Sequence, residues 1–265
     1  IMYHDPRRPE RKMRGSCAQA SGEGEERCPL WEHLFPPPPT CWFCSSPAGG
    51  RFGSGVWERV CAGCRRRLVR IVPPLCRRCG KSLSGQGPAL CGDCEGRSGH
   101  LDQNRSVVRY NDFAREIVAL FKYRGRERLA RPLGRMMAEE ACKMVPLPDW
   151  VTFVPLHPSR LKDRGFNQAE LLARIVSAHL NRPLVPLLKR IRPTEPQSQK
   201  SRRERLVALR GAFAPAADRK VLGKMAGVRV LIVDDVYTTG STLEEWARVL
   251  KEERVKSVVS VTFAR

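Results

Sequence analysis

Residues 230–242 read Val-Leu-Ile-Val-Asp-Asp-Val-Tyr-Thr-Thr-Gly-Ser-Thr, and this stretch decides the fold. An apolar, β-branched run ends abruptly in two adjacent carboxylates. A short loop of hydroxyls around one glycine follows, and a helical pattern opens at Thr242 and Leu243. The run 228–233 suits a strand buried on both faces of a parallel sheet. Asp234 and Asp235 then emerge at the strand's C-terminal end, where open α/β sheets bind ligands. The loop Thr238, Thr239, Gly240, Ser241 and Thr242 offers backbone N–H groups, hydroxyls and a helix N-terminus, a combination suited to a phosphate. An ordinary strand-to-helix turn needs one capping residue. Two acids and four hydroxyls around a glycine exceed that need. A phosphorylated sugar reconciles the two halves: its vicinal hydroxyls donate to the carboxylates while the loop holds its phosphate.

The chain's 265 residues allow one large domain or two small ones, and 42% hydrophobic content is compatible with a packed core. No apolar run is long enough to cross a membrane as a helix, and the first residues lack the apolar segment of a secretory signal. Residues 1–28 are polar and of low complexity and read as a disordered extension, with Met13 as an alternative start. The expected location is the cytoplasm. The formal net charge of +21 favours polyanionic partners, either nucleic acid or phosphate-rich metabolites. Eight thiolates on two Zn²⁺ would reduce it to about +17.

Eight of the eleven cysteines form four C-x-x-C knuckles: Cys41/Cys44, Cys61/Cys64, Cys76/Cys79 and Cys91/Cys94. Each knuckle places two sulfurs along one edge of a tetrahedron, and two knuckles complete a Cys₄ zinc site. Pairing the first with the second and the third with the fourth gives two consecutive ribbons; an interleaved arrangement is the alternative. An iron–sulfur cluster uses the same ligands. The segment has few large apolar residues, so metal is needed to stabilise it, and with every position filled by sulfur the role is structural. Cys17, Cys28 and Cys142 have no metal spacing, and Cys142 reads as a core residue on a helix. Arg65, Arg66, Arg67, Arg70, Arg77, Arg78 and Lys81 flank the knuckles. They suit either nucleic acid phosphates or the negative Zn–Cys₄ clusters.

Beyond residue 104 the pattern becomes α/β. A strand is expected over 105–110 and a helix over 112–123, with Phe113, Ile117, Leu120 and Phe121 on one face and Asn111 or Asp112 as cap. A second helix spans 128–144, a buried strand 150–156 and a third helix 168–180. Between the last two lies a loop, 157–168, carrying Arg160, Lys162 and Arg164 and ending Arg-Gly-Phe-Asn-Gln. It should open at the same sheet edge as Asp234 and Asp235. Asn167 suits a helix cap. Residues 194–213 are Arg-rich with a helical period, which by itself suits a solvated basic helix.

The stretch 230–242 resembles the PRPP-binding motif of the type I phosphoribosyltransferases, PRPP being 5-phosphoribosyl-1-pyrophosphate. With Arg-Gly-Phe-Asn-Gln-Ala at 164–169 and the four knuckles ahead of it, the chain resembles the ComF family over about residues 30–265. That resemblance implies an α/β type I phosphoribosyltransferase fold, a parallel sheet flanked by helices, over 104–265. A double zinc ribbon over 29–98 would precede it. It implies Mg²⁺ with PRPP, the ribose hydroxyls on Asp234 and Asp235, and the 5′-phosphate on Thr238, Thr239, Gly240, Ser241 and Thr242. Pyrophosphate would lie on Arg160, Lys162 and Arg164, and a hood containing Gln197 and Arg205 would close over it. Ala212 and Phe213 also match the hood pattern, whereas Lys200 and Ala208 stand where leucine and asparagine are usual. Asp235 is the first choice of base, with His157 the alternative. If active, the chain would transfer phosphoribosyl to an acceptor. Glutamine amidotransfer is not expected, because it needs a further domain with a nucleophilic cysteine. The resemblance also implies a role in DNA uptake and natural transformation, with single-stranded DNA and other competence proteins as partners. The alternatives are a non-catalytic single-stranded DNA-binding protein and a regulator that senses PRPP or a nucleotide.

Overall fold

The computed structural model describes residues 40–48, 55–85, 89–123, 126–192, 202–216, 221 and 223–265. The expected N-terminal extension, Cys17, Cys28 and Gln197 lie outside them. In chain order the elements are α1 (Ala62–Arg67), β1 (Gln103–Val108), α2 (Asp112–Phe121), α3 (Ala130–Cys142), β2 (Trp150–Phe153) and α4 (Pro158–Arg164). There follow α5 (Gln168–Leu180), β3 (Leu188–Arg190), α6 (Arg202–Leu209), β4 (Phe213–Pro215), β5 (Arg229–Val236), α7 (Ser241–Glu252) and β6 (Ser257–Ala264).

Four strands form one parallel sheet in the order β1-β6-β5-β2. Strands β3 and β4 pair antiparallel as a separate ribbon. Strand β5 shows why the sheet must be covered on both sides. Its Leu231 and Val233 join one apolar cluster and its Val230 and Ile232 the other. Successive strand residues face opposite ways, so an unbroken apolar run demands two cores. Helices α2, α3 and α5 fill one side. Helix α7, with Trp246 fully buried, and the β3–β4 ribbon fill the other.

The cysteine-bearing segment takes part in both cores. Cys41, Val60, Cys64 and Leu68 pack in the first cluster, and Cys76, Cys79, Cys91, Cys94 and Leu101 in the second. The link between them runs along the edge of β1. Arg70 bridges antiparallel to Val108, the Ile71 amide donates to the Val107 carbonyl (3.0 Å) and the Arg109 amide to Val69 (2.8 Å). An exposed strand edge is thereby paired within the chain. A buried polar seam fastens the third knuckle to the sheet. Asn104 Nδ2 donates to the Cys79 carbonyl (3.1 Å) and to Ser106 Oγ (2.9 Å), Ser106 Oγ meets Thr262 Oγ1 (2.7 Å), and Ser260 Oγ donates to Asn104 Oδ1 (2.9 Å). Gly80 in this knuckle has φ 71°, and a Cβ there would come within 2.6 Å of the Asn104 carbonyl. Only glycine permits that approach.

Three expectations are corrected. Residues 158–164 form helix α4 rather than a loop: His157 Nδ1 caps it by accepting from the Ser159 amide (3.3 Å), Pro158 starts it and Gly165 at φ 83° ends it. The buried stripe of α2 is Ala114, Ile117, Val118 and Phe121, one position round from the face expected, and Leu120 points to solvent. The Asn111 cap is as expected, with Oδ1 accepting from Ala114 N (2.9 Å). Cys142 does end a helix, but it is exposed, because the core face of α3 passes through Ala138 and Ala141.

Helices α3 and α5 approach closely through Gly134, where an added Cβ would lie 2.8–3.0 Å from the Ile175 side chain. Gly134→Val should therefore destabilise the fold by about 2–3 kcal/mol through overpacking. Adding Ile175→Ala should recover more than half of that loss in a denaturant double-mutant cycle.

Candidate active site and metal centres

The cysteine sulfurs gather into two tetrads, Cys41/Cys44/Cys61/Cys64 and Cys76/Cys79/Cys91/Cys94, with all four atoms of each within 4.8 Å of one another. Successive knuckles pair, and the interleaved alternative falls. Cys44 Sγ lies 3.5 Å from Cys61 Sγ, and Cys79 Sγ 3.6 Å from Cys91 Sγ. A Zn–S₄ tetrahedron with bonds near 2.3 Å has edges of about 3.8 Å, so the donor set and its spacing fit zinc. Backbone amides already point at the sulfurs: Cys64 N at Cys61 Sγ and Cys91 N at Cys76 Sγ, both 3.4 Å. Most of the flanking arginines are used elsewhere. Arg65 donates to the Val60 carbonyl (2.9 Å), Arg67 lies over the Phe113 ring (3.7 Å), Arg70 lies over Trp57 (4.7 Å) and Arg78 pairs with Glu244 (3.7 Å).

Each tetrad belongs to one of the two cores, so zinc stability is linked to the stability of the sheet. Removing zinc with a chelator should lower the melting temperature of the whole chain in a single transition, by roughly 10 °C or more. Separate transitions, with the α/β portion unmoved, would show that the two parts are energetically independent.

One cleft of about 200 Å³ opens beyond the C-terminal ends of β2 and β5. Its polar lining is Lys122, Arg160, Arg164, Arg190, Asp234, Asp235 and Thr242, with Asn167 and Gln168 from the start of α5. Parallel pairing of β2 with β5 aligns their ends and brings α4 over the acidic pair. Arg160 and Arg164 are one turn apart and share the face of α4 that meets the cleft. Lys162, two residues from each, lies across the helix and is exposed outside it. Asn167 holds the corner. Its Oδ1 accepts from Ala169 N (3.0 Å) and its Nδ2 donates to the Val154 carbonyl (3.1 Å), tying α5 to the end of β2.

The loop 238–242 forms as its residues require. Gly240 takes φ 75° ahead of α7, and a Cβ there would collide with the Tyr237 ring. Thr239 Oγ1 bonds Ser241 Oγ (2.8 Å) and accepts from the Ser241 amide (3.4 Å). Thr242 reaches the cleft, Ser241 is buried and Thr238 is exposed. Of the hood residues, Arg205 lies on α6. Ala212 and Phe213 are buried, Phe213 edge-on to Trp246 at 5.8 Å, so these two residues are anchored in the core.

Two cations in the cleft carried no motif. Lys122 ends α2 and its Nζ lies 2.8 Å from Asp235 Oδ2. A lysine after an amphipathic helix is ordinarily read as complementing the helix dipole, so nothing local marks it. Arg190 arrives from β3 and lies over the Phe213 ring at 5.6 Å. Burial, and then the charge of Asp235, pushes the Asp234 carboxyl well above the ordinary carboxylate range. Burial opposes the Lys122 charge, but Asp235 and then Asp234 outweigh it and hold the ammonium above its usual pKa. Burial lowers Arg164 and Arg190, with Arg160 adding to the effect and the aspartates opposing it. The cleft thus places an acid pair, with the Asp234 pKa raised, against a bank of cations, an arrangement that favours a ligand with hydroxyls or a metal at one end and anionic oxygens at the other. Lys122→Met should cost about 1–2 kcal/mol of stability in denaturant melts, because it leaves Asp235 facing Asp234 without its counter-ion; partial exposure reduces the cost.

Comparison with known proteins agrees with this geometry. A family model described as a phosphoribosyl transferase domain matches residues 167–265, and one described as a double zinc ribbon domain matches residues 30–95. Competence protein ComFC of Bacillus subtilis (strain 168) is 35% identical over 216 residues, covering 78% of this chain and 85% of that protein. DNA utilization protein YhgH of Salmonella typhi is 33% identical over 220 residues, covering 80% and 91%. Competence protein F of Haemophilus influenzae is 29% identical over 205 residues, covering 75% and 87%. Identity of 35% over most of each protein, with family models matching both parts of the chain, makes it a member of the ComF family, with a double zinc ribbon ahead of a type I phosphoribosyltransferase domain.

Proposed function

We infer that the chain binds PRPP with Mg²⁺ and transfers its phosphoribosyl group to a nitrogen nucleophile, in the service of DNA uptake. The observation that carries this reading is the single cleft in which Asp234, Asp235, Arg160, Arg164, Arg190 and Thr242 converge at the carboxyl edge of the sheet. Asp234 and Asp235 would accept from the ribose hydroxyls and hold Mg²⁺ through water. The raised pKa of Asp234 fits that role, since a cation relieves the repulsion between the two acids. Mg²⁺ would supply charge neutralisation on the departing pyrophosphate. Arg160, Arg164 and Arg190 would take the remaining charge, and the N-terminus of α7 with Thr239, Ser241 and Thr242 the 5′-phosphate. The C1–O bond to pyrophosphate breaks as the C1–N bond forms, and the proton leaving nitrogen would pass to Asp235. The segment from Gln197 to Arg205 would close over the donor and exclude water. The relatives' names, competence protein and DNA utilization protein, and the charge of +21 support the DNA setting.

Calorimetry with PRPP and Mg²⁺ should give binding that Asp234→Asn and Asp235→Asn weaken by about 10–100-fold each, the loss expected for charge-assisted hydrogen bonds. No heat from the wild type would end the reading. Below the raised pKa of Asp234 the free protein carries a proton that binding must expel. Affinity should therefore fall as the pH falls through the titration of Asp234, and buffers of different ionisation enthalpy should show proton release that Asp234→Asn abolishes. Pyrophosphate release, followed with and without single-stranded DNA, reports turnover.

A further inference from the structure

A second cleft, of about 250 Å³, opens at the same carboxyl edge of the sheet but on the opposite side of β5 from the first. Its lining is Ile71, Lys81, Ser82, Arg109, Tyr110 and Arg265. Arg109 and Tyr110 directly follow β1, and Arg265 directly follows β6, its parallel neighbour. Ile71 comes from the link between the two ribbons, and Lys81 and Ser82 from the turn after the third knuckle. Hydrogen bonds fix them: Tyr110 N donates to the Arg265 carbonyl (2.7 Å), Arg109 N to Val69 (2.8 Å), Arg265 N to Val108 (3.0 Å), Ile71 N to Val107 (3.0 Å), and the Ser82 hydroxyl to the Val72 carbonyl (2.9 Å).

The chemistry of this lining is one-sided. Three cations face the cleft and, among the described residues, no carboxylate lines it. Lys81 has a partner, Asp93 at 3.5 Å, but both side chains are more than half exposed and the pair is weak. Arg265 lies over the Tyr237 ring at 5.2 Å, and its Nε is buried and makes no hydrogen bond. Beside these cations the Tyr110 ring is 41% exposed, a flat apolar surface at the mouth of an anion site. A ligand that satisfies both features has a phosphate and a planar ring. The volume lies just below that of ordinary small-molecule sites, enough for one such unit.

We propose that this cleft holds a nucleotide unit, its phosphate among Lys81, Arg109 and Arg265 and its base against Tyr110. The unit is supplied either by a single strand passing over the ribbon-to-sheet junction or by a free mononucleotide. The site is separate from the PRPP reading, because none of these residues lines the first cleft.

The test uses the full chain, a fluorescein-labelled dT oligomer followed by anisotropy across a salt series, and dTMP and inorganic phosphate as competitors. Arg109→Gln should weaken oligomer binding about 5–10-fold and reduce the log–log salt slope by about one. Tyr110→Leu should weaken it about 10-fold and leave the slope unchanged, because stacking releases no counter-ions. Both side chains are exposed, and unchanged melting curves would confirm that the variants fold. Both should bind PRPP as the wild type does, so failure here and failure of the PRPP reading are distinct. Displacement by dTMP at low concentration assigns the cleft to free nucleotides; displacement by unlabelled oligomer alone assigns it to the strand. The proposal is overturned if neither oligomer nor dTMP binds, if both variants bind like the wild type, or if inorganic phosphate competes as well as dTMP.

Discussion

Burial of β5 on both faces is the constraint from which the rest follows. A parallel strand with Leu231 and Val233 on one side and Val230 and Ile232 on the other needs a helical layer on each. Polar groups on such a strand are tolerated only where the layers part, at its carboxyl end. Asp234 and Asp235 sit there, close enough to water to keep a ligand cleft and buried enough that their mutual repulsion is felt. The same end faces the start of α7, so a partial positive charge from the helix and a negative pair from the strand occupy one edge.

The double ribbon completes the sheet as well as binding metal. Its first tetrad packs with the layer of α2, α3 and α5, its second with the layer of α7, and the link between them pairs with the edge of β1. A small segment with few large apolar residues thereby gains two cores to lean on, and the sheet gains a protected edge. The Asn104–Ser106–Thr262 seam makes the attachment specific, since buried polar groups tolerate only the register in which they find their partners.

Charge is sorted along the carboxyl edge. Between β5 and β2 acids and cations meet, with Lys122 held against Asp235. Beyond β6 and β1 the lining is basic, and Arg265 leans on Tyr237 at the root of the loop 238–242. Most of the arginines flanking the knuckles, which on sequence suit nucleic acid or the metal clusters equally, instead contact carbonyls, rings and carboxylates within the fold. A count of positive residues therefore locates neither cleft.

Local pattern was sufficient wherever one stretch of chain carries the whole physical requirement. The apolar run into Asp234–Asp235, the turn glycine Gly240, the Asn111 and Asn167 caps and the four knuckles are each legible in the sequence, because strand burial, backbone conformation, capping and thiolate spacing are short-range properties. Tertiary structure alone decided the rest. Helix α4 replaced a loop and turned Lys162 away while aligning Arg160 with Arg164. Lys122 and Arg190 entered the cleft from elements distant in sequence, and Arg265 came to lie beside Arg109 because β6 pairs with β1. Which charges meet is set by strand order and helix rotation, and those depend on packing the two cores together rather than on any single segment.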